Sequence, residues 1–297
     1  MSRTRDEATA FEFEVEGRTV TGRIAEPRWV RPGAPLLVAV HGAGFTAEFF
    51  DTSECSLLRD GTRLGVTTLA LNRPGYAGST PLAAGRTDFG DLAVALAADV
   101  SAAYDLLERP TGGVVLTGQS SGCAIATMLA AREDPGFPLS GLSIVGLGVE
   151  IGTWTRGFER QLPEDGMLDR LTAEPIRERL FGPPETYEED ALQALAATTT
   201  SAHVSELRQV NRYPEIVAQY GERIRVPVQC IMPELDRIWT CTPSSLRRLT
   251  TNFVNSARVD STILPATGHA CDHHRSSTAL HLRQLAFALE CALPRSG

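Results

Sequence analysis

The chain has 297 residues, of which 42% are hydrophobic and 22% charged, and its formal net charge is −8 at pH 7. This composition is typical of a soluble globular protein that is long enough for one large domain or two small ones. The negative charge argues against nucleic acid or an anionic membrane as the natural partner. All 28 basic residues are arginines, which excludes lysine Schiff-base chemistry.

The cysteines and the N-terminus indicate the compartment. Six cysteines are scattered without a Cys-x-x-Cys pair, which in a chain of this length indicates reduced thiols rather than a disulfide framework. Residues 1–7 are polar and lack the apolar core of a signal peptide. No apolar run approaches the roughly 20 residues that a membrane span needs. We therefore expect a cytoplasmic protein that does not associate with membranes.

The first half of the chain alternates between strand and helix patterns. Residues 11–24 alternate with period two about a Gly17-Arg18 turn, which predicts an antiparallel hairpin. The later strands are continuous apolar runs, which suit strands covered on both faces of a sheet. The predicted elements after the hairpin are strands over residues 34–40, 66–71, 113–117 and 142–149, and helices over residues 48–64 and 88–108.

The stretch over residues 118–122 reads Gly-Gln-Ser-Ser-Gly and separates a buried strand from a helical pattern. Strand, sharp turn and helix are the context in which Gly-x-Ser-x-Gly forms a nucleophile elbow. The turn strains the serine backbone, and a Cβ at Gly118 or Gly122 would collide with the neighbouring strand or helix. The helix that begins at Ser121 directs its positive end towards Ser120, where negative charge develops during acyl transfer. Ser120 is therefore the predicted nucleophile; a plain turn is the alternative.

A second glycine-rich loop, over residues 41–45, follows the strand over residues 34–40. The backbone N–H of Ala43, or of a neighbour, is expected to form an oxyanion hole together with the N–H of Ser121. The alternative is a turn that contains a hydrogen-bonded His41. The candidate substrate contacts are His41, Gly42, Gly44 and Phe45 of this loop, together with Trp154 and Trp239.

The alternation of strand and helix stops between residues 151 and 223. This segment carries 13 acidic against 8 basic residues, with short helical patterns over residues 188–197 and 205–212. It predicts a helical insertion that covers Ser120 as a lid. Trp154, Phe158 and Phe181 are candidates to face the pocket, or else form a small core of the insertion itself.

The regular pattern then resumes, and two polar residues follow its strands. The predicted strands cover residues 226–232 and 261–264, and the helices cover residues 243–253 and 276–293. Asp236 and His269 each follow one of these strands, as Ser120 follows its own. Since the carboxyl ends of parallel strands meet at one edge of a sheet, the three side chains should converge there. Glu234 and Glu150 remain alternatives to Asp236 as the acid.

The loop after the last strand is dense in metal-ligand types, namely His269, Cys271, Asp272, His273 and His274. Its spacing differs from that of metallo-β-lactamases, and no partner cluster exists elsewhere in the sequence. We therefore expect no metal. His273 and His274 are interpreted as solvated loop residues, and His203 and His281 as surface or cap histidines.

Together these motifs make the sequence resemble an α/β-hydrolase with an inserted cap domain. The resemblance implies a doubly wound, mainly parallel sheet formed by residues 1–150 and 224–297, and a helical cap over residues 151–223. It also implies Ser120 as nucleophile, His269 as general base and Asp236 as its orienting acid. The matching pieces are His41-Gly42, Arg73-Pro74-Gly75-Tyr76, residues 118–122, Asp236 and Gly268-His269. One departure is Ala270-Cys271, which replaces the polar pair that commonly follows Gly-His.

A serine nucleophile predicts acyl transfer on a small-molecule ester, thioester or lactone through an acyl-enzyme. An aspartate would instead have indicated an epoxide hydrolase or a dehalogenase. We expect no cofactor, and a monomer or homodimer whose partner is a small acyl substrate. Two other functions stay open. One is a biosynthetic cyclase, isomerase or C–C hydrolase, and the other is a ligand-binding relative without catalysis.

Overall fold

A computed structural model of the chain describes residues 6–83 and 88–293, apart from the side chains of Thr153 and Trp154. The strands over these residues are β1 (Thr9–Val15), β2 (Arg18–Ala25), β3 (Leu36–Val40), β4 (Thr68–Leu71), β5 (Val114–Gln119), β6 (Leu139–Val145), β7 (Met167–Leu168), β8 (Ala202–His203), β9 (Val228–Pro233) and β10 (Val259–Leu264). The helices are α1 (Leu57–Arg63), α2 (Phe89–Leu106), α3 (Ser121–Ala130), α4 (Thr153–Glu159), α5 (Ala173–Leu180), α6 (Glu189–Ala197), α7 (Val204–Val210), α8 (Tyr213–Tyr220), α9 (Pro243–Thr250) and α10 (Ser277–Cys291). Within the described ranges, no helix combines the length and apolar character that crossing a bilayer requires.

Eight strands form one sheet in the order β1-β2-β4-β3-β5-β6-β9-β10. The predicted hairpin of β1 and β2 is antiparallel, and β2 also pairs antiparallel with β4. The pairings from β4 through β10 are parallel. This confirms the predicted doubly wound, mainly parallel sheet. The two short strands β7 and β8 pair antiparallel with each other outside it.

The central strands are buried on both faces, and this explains their continuous apolar sequence. In β3, Val38 and Val40 belong to one core cluster, while Leu37 and Ala39 belong to another. Successive side chains of a strand point to opposite faces, so the two clusters are the two sides of the sheet. Side chains of α2 and α3 contribute to the first cluster, and side chains of α1 and α10 to the second.

Local polar side chains divide the helix that was predicted over residues 48–64. A short 3₁₀ helix, Ala47–Phe50, comes first, and α1 begins only after Ser56. Ser56 Oγ accepts a hydrogen bond from the backbone N–H of Arg59 at 3.0 Å and donates one to Asp51 Oδ1 at 2.7 Å. Serine and aspartate favour such caps over a helix interior, so they start a second helix instead of continuing the first.

Residues 151–223 contain more structure than the two predicted helices. The two appear as α6 and α7, but α4, α5, α8 and the β7–β8 pair are present as well. Pro175 and Pro214 both lie in the first turn of a helix. Proline is tolerated there because the first N–H groups of a helix have no partner inside it. These two prolines, which would interrupt a helix if they lay in its interior, therefore lie where helices begin.

His281 of α10 is buried, so its interpretation as a surface or cap histidine is wrong. Its Nδ1 lies 2.8 Å from Asp60 Oδ2 in α1, and its Nε2 lies 3.1 Å from Asp272 Oδ1. Since both partners are carboxylates, both ring nitrogens act as donors only when the imidazole is charged. Burial opposes the charge, but the hydrogen bonds and charges of Asp272 and Asp60 outweigh it and raise the pKa of His281 to about 9.

We predict that the fold loses stability in alkaline solution because His281 loses its proton. The folded-state pKa lies above the unfolded value of about 6.5, so this stabilisation is complete below pH 6.5 and disappears as the pH rises through 9. At about 1.4 kcal/mol per pKa unit, the free energy involved is roughly 3 kcal/mol. Urea denaturation between about pH 6 and pH 10 measures it.

The variant His281→Gln should be less stable than wild type at about pH 6, and the difference should shrink towards pH 10. His203→Gln, at the partly exposed histidine of β8, is the control and should keep the wild-type profile. Parallel pH profiles for wild type and His281→Gln would show that His281 does not carry the effect.

Candidate active site

Ser120 lies in a strained turn between β5 and α3, with φ 51° and ψ −126°. Positive φ is unfavourable for a residue with a Cβ. The backbone N–H of Cys123 donates to Ser120 O at 2.8 Å and helps to hold the turn. A Cβ added to Gly118 would lie 2.7 Å from Cys123 Cα, and one added to Gly122 would overlap the carbonyl oxygen of Val40. Both glycines are therefore needed to bring β3, β5 and α3 together at the turn.

His269 and Asp236 follow β10 and β9 and are joined by a hydrogen bond. His269 Nδ1 donates to Asp236 Oδ2 at 2.8 Å, and both side chains are almost completely buried. The other carboxylate oxygen accepts from the backbone N–H groups of Ile238 at 2.7 Å and Trp239 at 3.2 Å. The carboxylate is thus fixed from both sides, and it fixes the ring tautomer in which Nε2 is the acceptor.

The two alternative acids make other contacts. Glu150 is partly exposed and lies 3.3 Å from Arg248 Nη1. Glu234 accepts a hydrogen bond from the backbone N–H of Ala266 at 2.8 Å. Within the described residues, only Asp236 places a carboxylate on the ring of His269.

Ser120 and His269 line one cavity of about 130 Å³. More than half of the residues around it come from the segment 151–223, and they include Phe158, Leu168 and Val210. Among the described residues, no hydrogen bond joins Ser120 Oγ to His269. In enzymes without substrate this bond is often long and tightens only in the substrate complex. The cavity therefore brings a strained serine and an oriented imidazole to one apolar space.

The aromatic residues predicted to face the pocket divide into three cases. Phe158 lines the cavity. Phe181 does not, because it is buried with its ring stacked on that of His274 at a centroid distance of 4.9 Å. The side chain of Trp154 lies outside the described residues.

Of the loop residues predicted as substrate contacts, Gly44 and Phe45 line the cavity, as does Trp239. His41 and Gly42 are buried and are not among the residues that line this cavity, so their role as substrate contacts stays a prediction. A Cβ at Gly42 would come within 2.5 Å of Gln119 Oε1 and 3.1 Å of Ser120 Cβ, so this glycine makes room for the elbow.

His41 is fully buried and has backbone partners on both ring nitrogens. Nδ1 donates to the carbonyl oxygen of Gly42 at 2.8 Å, and Nε2 accepts from the N–H of Arg73 at 3.2 Å. Burial, with the nearby charge of Arg73, holds the pKa of His41 well below its ordinary value. Both ring nitrogens of this histidine are therefore engaged by the backbone of the two loops, an arrangement that suits the neutral ring.

The predicted oxyanion donors are the backbone N–H groups of Ala43 and Ser121. Ala43 lines the cavity, and Ser121 is the first residue of α3. Among the described residues, neither N–H donates a hydrogen bond to a protein acceptor. The first N–H groups of a helix are expected to be free, and here they lie beside Ser120.

A buried ionic cluster beside the elbow was not predicted from the sequence. Arg73 Nη2 lies 2.5 Å from Glu206 Oε1 and donates to the carbonyl oxygen of Gly42 at 3.1 Å. The hydroxyl groups of Tyr76 and Ser121 donate to Glu206 at 2.5 and 3.0 Å. Arg73 and Tyr76 belong to the Arg73-Pro74-Gly75-Tyr76 motif of the family resemblance, which predicted no ionic contact for them. Glu206 carries no local signal, because it is one acidic residue among many in its segment.

The histidines that follow His269 are structural. His273 Nε2 donates to Phe49 O at 3.0 Å, and His274 Nε2 accepts from the backbone N–H of Gly182 at 3.1 Å. Both residues are buried, so their interpretation as solvated residues is wrong. Burial lowers the pKa of both rings to about 4. Across the described part of the chain, no three histidine, cysteine, aspartate or glutamate side chains are grouped as a metal site requires.

Solved structures of several hydrolases resemble the chain. A thermophilic esterase from Thermogutta terrifontis matches with a TM-score of 0.64 at 14% identity, over 96% of this chain and 100% of that one. The enol-lactonase from Burkholderia xenovorans matches with a TM-score of 0.60 at 16% identity, over 94% and 98%. A thioesterase domain from the curacin biosynthetic pathway matches with a TM-score of 0.59 at 15% identity, over 94% and 99%. At these identities the likeness shows the fold alone.

No curated protein matches the chain by sequence. The profile of the alpha/beta hydrolase family matches residues 37–280, well over half of the chain and a range that includes Ser120, Asp236 and His269. The chain therefore belongs to the alpha/beta hydrolase family.

Proposed function

We propose that the protein is a serine hydrolase that cleaves a small-molecule ester, thioester or lactone through an acyl-enzyme. The observation that carries this proposal is the His269–Asp236 hydrogen bond at the wall of the cavity that Ser120 also lines. A strained serine, an oriented imidazole and a buried carboxylate are the three groups that acyl transfer by a triad needs. Family membership supports the same reaction class.

In the proposed mechanism Ser120 Oγ attacks the substrate carbonyl while His269 Nε2 accepts the hydroxyl proton. Asp236 holds the ring and stabilises the imidazolium that forms. The N–H groups of Ala43 and Ser121 bind the oxyanion of the tetrahedral intermediate. His269 then protonates the leaving group, and the same ring activates the water that releases the acid from Ser120.

The segment 151–223 acts as a cap domain in this proposal, and residues 1–150 and 224–297 form the catalytic domain. The contacts in support are the cap residues that line the cavity, among them Phe158, Leu168 and Val210. Closing an active site with apolar side chains excludes water and strengthens the electrostatic interactions inside it. The wall is largely apolar, although Asp169 and Arg179 also line it, and this supports an apolar acyl group.

Ser120, and not Ser121, should react with a fluorophosphonate probe. Ser120 occupies the strained apex of the turn. The hydroxyl of Ser121 instead donates a hydrogen bond to Glu206. Wild type and Ser121→Ala should become labelled, and Ser120→Ala should not. Mass spectrometry of the labelled peptide is the measurement. Labelling that survives Ser120→Ala but not Ser121→Ala would move the nucleophile to Ser121, and no labelling of wild type would favour a binding protein or an isomerase.

Asp236→Asn should lower kcat on a p-nitrophenyl ester by up to about 10⁴-fold, because the amide no longer fixes the correct tautomer or stabilises the imidazolium. Steady-state kinetics measure the loss, and circular dichroism shows whether the fold is kept. Glu234→Gln is the matched control, since this carboxylate lies two residues away and binds a backbone N–H of another loop. Near-normal activity of Asp236→Asn would exclude Asp236 as the acid.

The value of kcat/KM should rise with the length of the acyl chain until the chain fills the cavity. Each added methylene is worth about 0.8 kcal/mol when buried, or roughly fourfold in kcat/KM, until the cavity is full. Phe158→Ala should move the optimum to longer chains, because Phe158 lines the cavity. Met167→Ala, at an exposed residue of the same segment, should leave the optimum unchanged. A flat dependence on chain length would contradict binding of the acyl group in this cavity.

A further inference from the structure

We propose that Glu206 is a positioning residue that holds both backbone amides of the oxyanion hole, so that docking of the segment 151–223 is coupled to the rate of acyl transfer. The inference rests on the proposed function and deepens it. Glu206 belongs to α7, within that segment, whereas the groups it contacts follow the strands β4 and β5 of the sheet. One carboxylate therefore joins the segment to the catalytic loops.

The first link leads to the elbow. Ser121 Oγ donates to Glu206 Oε1 at 3.0 Å. Ser121 is also the residue whose backbone N–H begins α3 beside Ser120. Because the side chain and the N–H belong to one residue, fixing the hydroxyl restrains the direction in which the amide points.

The second link leads to the other amide. Arg73 Nη2 lies 2.5 Å from Glu206 Oε1 and donates to Gly42 O at 3.1 Å. Gly42 O and the N–H of Ala43 belong to the same peptide group, which is trans and planar, so they point in opposite directions. Arg73 shares this carbonyl oxygen with His41 Nδ1, which donates to it at 2.8 Å. Holding the Gly42 carbonyl on this side turns the Ala43 N–H to the opposite side, and Ala43 lines the cavity.

The carboxylate itself has little freedom to move. The Tyr76 hydroxyl donates to Glu206 Oε2 at 2.5 Å, and the Arg73 guanidinium lies 4.6 Å from the centre of the Tyr76 ring. The side chains of Arg73 and Glu206 are 1% and 8% exposed. Charge-assisted hydrogen bonds in such a dry site are strong and directional. Any displacement of α7 is thus passed to both loops.

Kinetics of Glu206→Gln test the inference, because the amide keeps the size of the side chain and removes its charge. One oxyanion donor is worth about 10²–10³ in kcat, and misplacement by 1 Å costs up to about 10²-fold. We expect kcat to fall roughly 10- to 100-fold while KM changes by less than about threefold. Glu215→Gln is the matched control, since Glu215 forms an exposed ion pair with Arg212 in the same segment. It should leave both constants unchanged.

Removing Glu206 leaves Arg73 buried without its counter-charge, which is strongly destabilising, so a second variant is needed. Ser121→Ala removes one hydrogen bond to the cluster and keeps the ion pair, and we expect kcat to fall about three- to tenfold. Circular dichroism sets a temperature at which every variant is folded. An alkyl boronic acid forms a tetrahedral adduct on Ser120. At that temperature its affinity should fall in parallel with kcat. The affinity for the product acid should not fall.

A purely structural role would lower thermal stability without changing the ratio of these two affinities, and would overturn the inference. So would wild-type kcat in folded Glu206→Gln and Ser121→Ala. If wild type itself shows no turnover that depends on Ser120, the proposed function fails and the inference fails with it.

Discussion

The close approach of β3, β5 and α3 around Ser120 is the constraint on which the rest of the site depends. A residue with positive φ costs about 1–3 kcal/mol and persists only where its surroundings leave no alternative. Here Gly122 packs against the carbonyl oxygens of Val40 and His41, and Gly118 packs against the start of α3. Parallel pairing of β5 with β3 and β6 fixes the strand on both sides. The strain is thus sustained by the most buried part of the sheet.

Two ion pairs with buried members fix the positions of the outer helices. Glu206 attaches α7 through Arg73, and His281 attaches α10 to Asp60 of α1. A buried pair contributes little net stability compared with apolar packing, but its loss leaves an uncompensated charge. Each pair therefore specifies where a helix docks more than how tightly it docks. For α7 the specified position is beside Ser121, whose backbone N–H we propose as an oxyanion donor.

The sequence predicts the parts of the fold and site whose determinants are local. Gly118 and Gly122 are required by a turn five residues long, and the strands of the main sheet follow from apolar runs, so the structure has both. The helix predicted over residues 48–64 is divided, because the caps that divide it are single polar residues. The buried histidines were misjudged because their neighbours come from distant segments, as Phe49 does for His273. Glu206 could not be found for the same reason. Its importance arises from Arg73, which lies more than a hundred residues earlier in the chain.

The buried histidines differ in their hydrogen-bond partners, and these partners determine whether each ring is neutral or charged. His41 and His274 have backbone partners on both nitrogens, and burial keeps them neutral. His281 lies between two carboxylates and is held in the charged form. His269 differs from all of these, since one nitrogen binds Asp236 and the other makes no hydrogen bond within the described residues. Among these four rings, only His269 combines an orientation fixed by one carboxylate with a nitrogen that has no partner in the described part of the chain, which is the arrangement that our proposed general base requires.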